Sequence, residues 1–283
     1  MHGTTTHATI IRVKGSTQSE ETDLLATEEP LEIRLMFGKK EDRRQQSISV
    51  TMRTPGHDAD LAAGFLFTEG IIQSDDDIQS IRHCSGLNNN VIRVELEEDV
   101  PVSLTNLERN FYTTSSCGIC GKASIDAIRT ICRLQTPQTI ETSFPANTLL
   151  SLPDTLRQAQ QAFQNTGGIH GCALFNTGGK LILAREDVGR HNAVDKLVGA
   201  ALQNGLFPLH HYLLLLSGRA SFELVQKAAM AGIQLVAAVG APSSLAVQTA
   251  TELGITLVGF LRNGGFNIYS HPNRIVVSNS ITV

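Results

Sequence analysis

Cys117 and Cys120 stand in the run Ser115-Ser116-Cys117-Gly118-Ile119-Cys120-Gly121-Lys122. A Cys-x-x-Cys pair can hold a metal, cycle between thiol and disulfide, or carry a sulfur atom. Zinc needs two further ligands, and no second Cys-x-x-Cys occurs. His170 with Cys172, or His83 with Cys84, would supply them only at spacings unlike those of common zinc modules. A thioredoxin-like pair opens a helix after an early strand, and here the usual aromatic and proline neighbours are missing. A zinc deaminase needs His-x-Glu and Pro-Cys-x-x-Cys. Ser116 stands at the proline position, and the chain has no His-x-Glu. Two buried structural thiols fit poorly among glycine, serine and threonine. These exclusions favour a nucleophilic or sulfur-carrying thiol, with a zinc-binding or redox maturation adaptor as the alternative. Cys117 lies just before a helical pattern, where free amides and the helix dipole stabilise a thiolate. Lys122 adds to that field, and Cys120, one turn on, feels it less. Gly118 and Gly121 let the backbone bend, so the loop can present sulfur to two partners.

Three other stretches suit an anionic ligand. Ser217-Gly218-Arg219, Gly240-Ala241-Pro242-Ser243 and Arg262-Asn263-Gly264-Gly265 each follow an apolar run that reads as a strand. In parallel sheets, ligands sit beyond the carboxyl ends of the strands. Small residues there let backbone amides approach, and Arg219 and Arg262 suit a phosphate or a fused-ring edge. Ordinary tight turns are the plain alternative. The run Arg185-Glu186-Asp187-Val188-Gly189-Arg190-His191-Asn192 also leaves a strand and enters a helix. Glu186 or Asp187 is placed to orient His191 or to hold Arg190; a solvated cap is the competing reading. His170 follows two glycines and suits a structural role at least as well as a catalytic one. No phosphate-cradling Gly-x-x-x-x-Gly-Lys-[Ser/Thr] motif occurs, and no Gly-x-Gly-x-x-Gly follows a strand. Nucleotide hydrolysis and nicotinamide chemistry are therefore disfavoured.

The elements that must position these groups follow from the hydrophobic pattern. Residues 1–29 are polar with weak periodicity and read as a flexible arm, with an edge strand around Ile10 to Val13 as the other option. Residues 30–112 read as a β-rich unit with one helix. Strands are expected at Pro30–Phe37 and Ser47–Arg53, and a second hairpin at Ile78–Cys84 and Asn90–Glu97. Leu61 and Phe65 mark the helix, which Asp58 or Asp60 starts and Gly70 ends. Residues 113–283 read as an α/β core. Ile125, Ile128, Ile131 and Cys132 share one helical face, and a loop over 136–148 leads to a helix over Pro153–Gln164. A hairpin turns over Thr177-Gly178-Gly179. Strands at Tyr212–Leu216, Gln234–Val239 and Ile255–Leu261 alternate with helices at Ser221–Ala231 and Ser243–Leu253, which implies a parallel, helix-covered sheet.

The totals agree. The 283 residues carry 41% hydrophobic content, enough for a sizeable core, with room for about two domains. A net charge of −4 gives no general affinity for nucleic acid or anionic membranes. Five cysteines are too few, and odd in number, for a disulfide framework. The amino terminus lacks the apolar core of a signal peptide, and the run Tyr212 to Leu216 is far too short to cross a bilayer. A cytoplasmic protein with free thiols is expected.

At its cysteine loop the chain resembles the FdhD family of formate dehydrogenase accessory proteins. The likeness continues through Gly64-Phe65-Leu66, Glu69-Gly70-Ile71-Ile72 and Thr166-Gly167-Gly168-Ile169-His170. It takes in Glu186-Asp187-Val188-Gly189-Arg190-His191-Asn192, Ser217-Gly218-Arg219, Gly259-Phe260-Leu261-Arg262 and Asn267-Ile268-Tyr269. It spans nearly the whole chain after residue 30. The resemblance implies a cytidine deaminase-like three-layer core with a smaller β-rich subdomain, and a homodimer. It implies a sulfurtransferase that takes persulfide sulfur from a cysteine desulfurase onto Cys117, with Cys120 assisting. The acceptor would be the molybdenum of the bis(molybdopterin guanine dinucleotide) cofactor, a bound substrate destined for formate dehydrogenase; no resident metal is implied. Phe260, Leu261, Arg262, Asn263, Gly264 and Gly265 match the stretch that holds the guanine nucleotide part. Arg219, Arg190 and His191 are expected to bind the same anionic cofactor. One departure is Gly171-Cys172, where small alanine-like residues are expected.

Overall fold

In the computed structural model, residues 3–84, 90–102 and 142–277 are described. The cysteine loop, the helix expected over Ile125 to Cys132 and the 112/113 boundary lie outside them. Leu31, Ile33, Leu35 and Phe37 alternate with more exposed residues along β3 (Glu29–Phe37), so one face of that strand is buried. β3 pairs antiparallel with β4 (Arg44–Arg53) and parallel with β6 (Val91–Leu96), which pairs antiparallel with β5 (Ile78–His83). Helix α1 (Asp58–Thr68) packs on this four-stranded sheet. Gly70 ends it at φ 71°, where Gly70 N–H bonds Phe67 O and Ile71 N–H bonds Leu66 O, the paired bonds of a Schellman motif.

Residues 5–26 depart from the expected flexible arm. They form a hairpin of β1 (Thr5–Lys14) and β2 (Thr17–Ala26), paired along their whole length. The turn Gly15-Ser16 closes it, with Gly15 at φ 61°. Two-residue loops opened by glycine favour hairpins because their backbone twist matches that of the strands. Thr27 N–H donates to Thr4 O at 3.0 Å and pins its base.

A short β7 (Phe144–Pro145) pairs parallel with Ile275–Val276. The larger sheet is built from β8 (His170–Phe175), β9 (Leu181–Asp187), β10 (Leu213–Leu216), β11 (Leu235–Ala238), β12 (Thr256–Arg262) and β13 (Gly265–Ser270), in the order β13-β12-β11-β10-β8-β9. It is mixed rather than fully parallel: β10, β11 and β12 are parallel, and β8, β9 and β13 join through antiparallel pairs. β9, β10, β11 and β12 therefore all point their carboxyl ends to one edge. The four leucines of β10 are all buried and alternate between two clusters. Leu214 and Leu216 face the side covered by α4 (Arg190–Gln203), α5 (Phe222–Met230) and α6 (Ser244–Glu252). Leu213 and Leu215 face α2 (Ala146–Ala159). Each such side chain contributes about 1.5–3 kcal/mol by leaving water.

The helix expected over Pro153–Gln164 begins earlier, at Ala146, with Pro153 inside it. Leu149, Leu152 and Leu156 are its buried stripe, and that stripe outweighs the proline's missing donor. It stops at Gln160, and a short α3 (Gln161–Thr166) follows, against which β2 packs.

The β-rich unit and the α/β core share one hydrophobic cluster. At their seam α1 crosses α4 with Gly64 against Gly199. A Cβ on Gly64 would run into the Asp195 carbonyl, and one on Gly199 into the Asp60 carbonyl. Small residues are what the approach of two backbones requires.

Candidate functional site: an anion-favouring cleft at the carboxyl edge

Beyond the strand ends lies a cleft of about 880 Å3. Its walls include Ser217 and Gly218 after β10, Arg262 at the end of β12 with Asn263 and Gly264 after it, and His170 at the start of β8. Arg157, Gln160 and Gly167-Gly168 close it from α2 and α3. That volume lies within the range of ligand-binding clefts.

Backbone bonds lock the loops together. Gly240 N–H donates to Gly218 O at 2.9 Å, Phe260 N–H to Gly240 O at 3.0 Å, and Ser217 N–H to Gly171 O at 2.9 Å. At Gly240 a Cβ would press on Gly218 O at 3.0 Å and on Arg219 N at 3.1 Å. At Gly259 it would meet Pro242 Cδ at 2.8 Å and Tyr269 Cε2 at 2.9 Å, so a side chain there would force its neighbours to shift. Asn263 and Gly264 turn β12 into β13 at φ 53° and 76°, the pattern of a two-residue primed turn. Just before it, Phe260 sits at φ 55°, rare for an aromatic residue and costing on the order of 1–3 kcal/mol. The Arg262 guanidinium lies 5.4 Å over the Phe260 ring.

The residues singled out from sequence thus fall in different places. Arg262, Asn263 and Gly264 line the cleft. Leu261 is fully buried and packs into the core on the α2 side. Phe260 is half-buried under Arg262, and Gly265 opens β13 at the surface. Arg190, His191 and Arg219 do not line the cleft, but their charges act on His170, which does. Cys117 and Cys120 lie outside the described residues.

The acidic residues of the Arg185–Asn192 run do something other than hold Arg190. Glu186 accepts the backbone N–H groups of Ala162 and Phe163 at 2.9 and 2.8 Å and so anchors α3. Asp187, with no exposure, pairs with Lys196 at 2.7 Å. It also accepts from Thr54 N–H at 3.1 Å, Gly189 N–H at 2.8 Å and Asn192 Nδ2 at 3.2 Å. Lys196 donates onward to Thr54 O at 2.8 Å. This network ties the end of β4 to the first turn of α4 and fixes where Arg190 and His191 start. His191 Nε2 instead lies 3.5 Å from Glu223 Oε2.

The electrostatics favour an anion. Partial burial pushes the His170 imidazole below its ordinary value, and the charges of Arg190, His191 and Arg219 push the same way against Asp187. Burial acts to raise the Glu223 carboxyl, but the neighbouring His191, its own backbone N–H and Ser221 prevail and hold it at about 2. Cys172, a third thiol of undetermined role in the sequence, is buried and donates to Ala193 O at 3.1 Å. Burial pushes its thiol well up, so it is a core residue and not a nucleophile. Among the described residues no group of three or more His, Cys, Asp or Glu side chains could hold a metal. No described helix is long and apolar enough to cross a membrane.

Sequence reasoning left Gln160 and Arg157 out of the site. Neither carries a local signal, since α2 and α3 bring them to the cleft only through packing. Gln160 lies over Gly171, where any Cβ would displace it. Its Nε2 is buried and has no hydrogen-bond partner among the described residues. The departure at Gly171-Cys172 is thereby explained: the glycine makes room for Gln160, and the cysteine fills the core.

Comparison with known proteins adds three findings. The model of the FdhD/NarQ family matches residues 26–276. A sulfur carrier protein FdhD from Streptomyces avermitilis is 51% identical over 274 residues, covering 95% of this chain and 94% of its own. One from Saccharolobus solfataricus is 40% identical over 266 residues, covering 94% and 96%. A crystal structure from Desulfotalea psychrophila, provisionally named a formate dehydrogenase accessory protein, superposes with a TM-score of 0.75 at 24% identity. That superposition covers 96% of this chain and all of the other, and it attests the same mixed α/β fold. A family match over most of the chain, with identities of this size across phyla, leaves one conclusion: the chain belongs to the FdhD/NarQ family.

Proposed function

We propose that this protein is a sulfur carrier that loads sulfur onto Cys117 and delivers it to a molybdenum cofactor held at the carboxyl-edge cleft. The observation that carries the reading is the cleft itself, lined by strand-end amides and Arg262 and flanked by a cationic cluster. Such a site suits the phosphates of a bis(molybdopterin guanine dinucleotide), and the relatives bear the name sulfur carrier protein. In the first step the Cys117 thiolate attacks the outer sulfur of a cysteine desulfurase persulfide. The donor's S–S bond breaks, its cysteine leaves as a thiolate, and Cys117 holds the persulfide. In the second step the Cys120 thiolate attacks Cys117 Sγ. The outer sulfur leaves as sulfide toward the metal, and a Cys117–Cys120 disulfide remains, so the two electrons come from the protein thiols. Cytoplasmic formate dehydrogenase maturation is the setting, and a homodimer the working form.

Cys117→Ala is the test. The variant is expected to fold, to bind guanine nucleotide, and to abolish activation of formate dehydrogenase. Mass spectrometry after incubation with cysteine and a desulfurase is expected to find one added sulfur atom on Cys117 of the wild type and on no other cysteine. Full activation by the variant, or stoichiometric zinc with no added sulfur, would sink the reading.

A further inference from the structure

Among the described residues that line the cleft, His170 is the one whose charge the surroundings leave open. It is exposed at the wall, on the first position of β8, with Gly218 against its ring. The groups that face it are mostly cationic. Arg190 and His191 come from the first turn of α4, Arg219 from the loop after β10, and Arg157 and Arg262 from the far walls. Asp187 opposes them from β9, but Lys196 already neutralises it at 2.7 Å. Asp154 is the cleft's lining carboxylate and is exposed. Glu223 is engaged by His191 at 3.5 Å. These surroundings disfavour a proton on His170. A second observation concerns the cleft lining: the buried Gln160 Nε2 has no acceptor among the described residues. A buried donor left unpaired in a native site calls for a partner.

We propose that His170 takes up a proton from solvent when a diphosphate-bearing ligand enters the cleft, and becomes one of its hydrogen-bond donors beside Gln160. An anion in the cleft beside His170 offsets the field of Arg190, His191 and Arg219 at the ring and lifts its affinity for a proton. By linkage, ligand affinity is then flat below the free protein's value for His170. It falls about tenfold per pH unit up to the bound value, and is flat again above it. This device rests on the cofactor-binding reading and adds to it a release mechanism: a more alkaline surrounding loosens the ligand.

The test is calorimetry in two buffers of different ionisation enthalpy. The probe is P1,P2-di(guanosine-5′) diphosphate, whose diester phosphates do not themselves titrate near neutrality. Wild type is expected to take up a proton on binding, and His191→Gln to do the same. His170→Gln is expected to lose the uptake and to bind with pH-independent affinity, matching wild type at alkaline pH. The His170 ring carbon in carbon-13 NMR is expected to move toward its protonated shift as the probe is added, a readout that needs no variant. Binding without uptake, or uptake undiminished in His170→Gln, overturns the proposal and leaves the cofactor reading standing. Equal binding of the adenine analogue with the same uptake overturns the guanine reading and leaves His170 in place. No binding of either probe overturns both.

Discussion

The seam between α1 and α4 and the cleft at the carboxyl edge use the same residue types to opposite ends. At the seam, every charge has a counterpart. Lys196 meets Asp187 at 2.7 Å, Lys227 meets Asp195 at 2.9 Å, and Arg185 meets Asp60 at 2.8 Å. Burial opposes the charge of Lys227, yet Asp195 and Glu69 hold its ammonium above the ordinary range. Glycines there bring two backbones into contact and exclude everything else. Around the cleft, Arg190, Arg219 and Arg262 make no ion pair among the described residues, and the cleft's glycines line open space that a ligand could fill. A charge buried without a partner is costly, so the seam must be complete in the folded chain. A charge left at a solvated rim costs little and is available to a ligand. The two regions are coupled, because the Asp187 network that closes the seam also sets the first turn of α4, where Arg190 and His191 begin.

Three substitutions would break or sharpen this contrast. The largest effect is expected for Lys196→Met, which strands the buried Asp187 carboxylate. It should cost about 3–5 kcal/mol in urea unfolding with an unchanged slope. A loss under about 1 kcal/mol would mean that the backbone donors around Asp187 suffice. Arg262→Ala should do the reverse. Stability should move by less than about 0.5 kcal/mol. Guanine nucleotide affinity measured by calorimetry should fall by about 1.5–3 kcal/mol, the worth of a charged hydrogen bond. Unchanged affinity would remove that loop from the site. The smallest effect should appear only in acid, at Glu223→Gln. The folded Glu223 sits at about 2 against an ordinary 4.5, so its contribution is complete above 4.5 and lost as pH falls toward 2. Wild type should therefore lose more of its urea midpoint across that window than the variant does. Equal losses would show that the His191 contact does not stabilise the carboxylate.

Much of this organisation was legible in the chain. The i, i+4 spacing of Leu61 and Phe65 with Asp58 before and Gly70 after gave α1. Thr177-Gly178-Gly179 gave the β8–β9 hairpin, and the small strand-end loops gave three stretches of one edge. The β1–β2 hairpin was obscured because its strands are polar and mostly exposed, although Gly15-Ser16 offered a turn signal. The start of α2 was misjudged because Pro153 normally marks a boundary, whereas here the stripe of Leu149, Leu152 and Leu156 carries the helix through it. β13 was invisible as a strand because, at an edge, it buries little and its pattern is weak.

By itself the sequence determined local structure and chemical inventory: periodicity set the elements, and residue type set which groups could ionise, donate or attack. Only the tertiary structure decided which of them meet. It sent Leu261 into the core and left Arg262 at the cleft, since alternate strand residues face opposite sides. It buried Cys172 beneath α4 and so removed that thiol from the chemistry. It also set His170 amid cations drawn from α4 and the loop after β10, distant in sequence. Periodicity is a property of neighbouring residues, whereas the field at a side chain is a sum over everything packed around it.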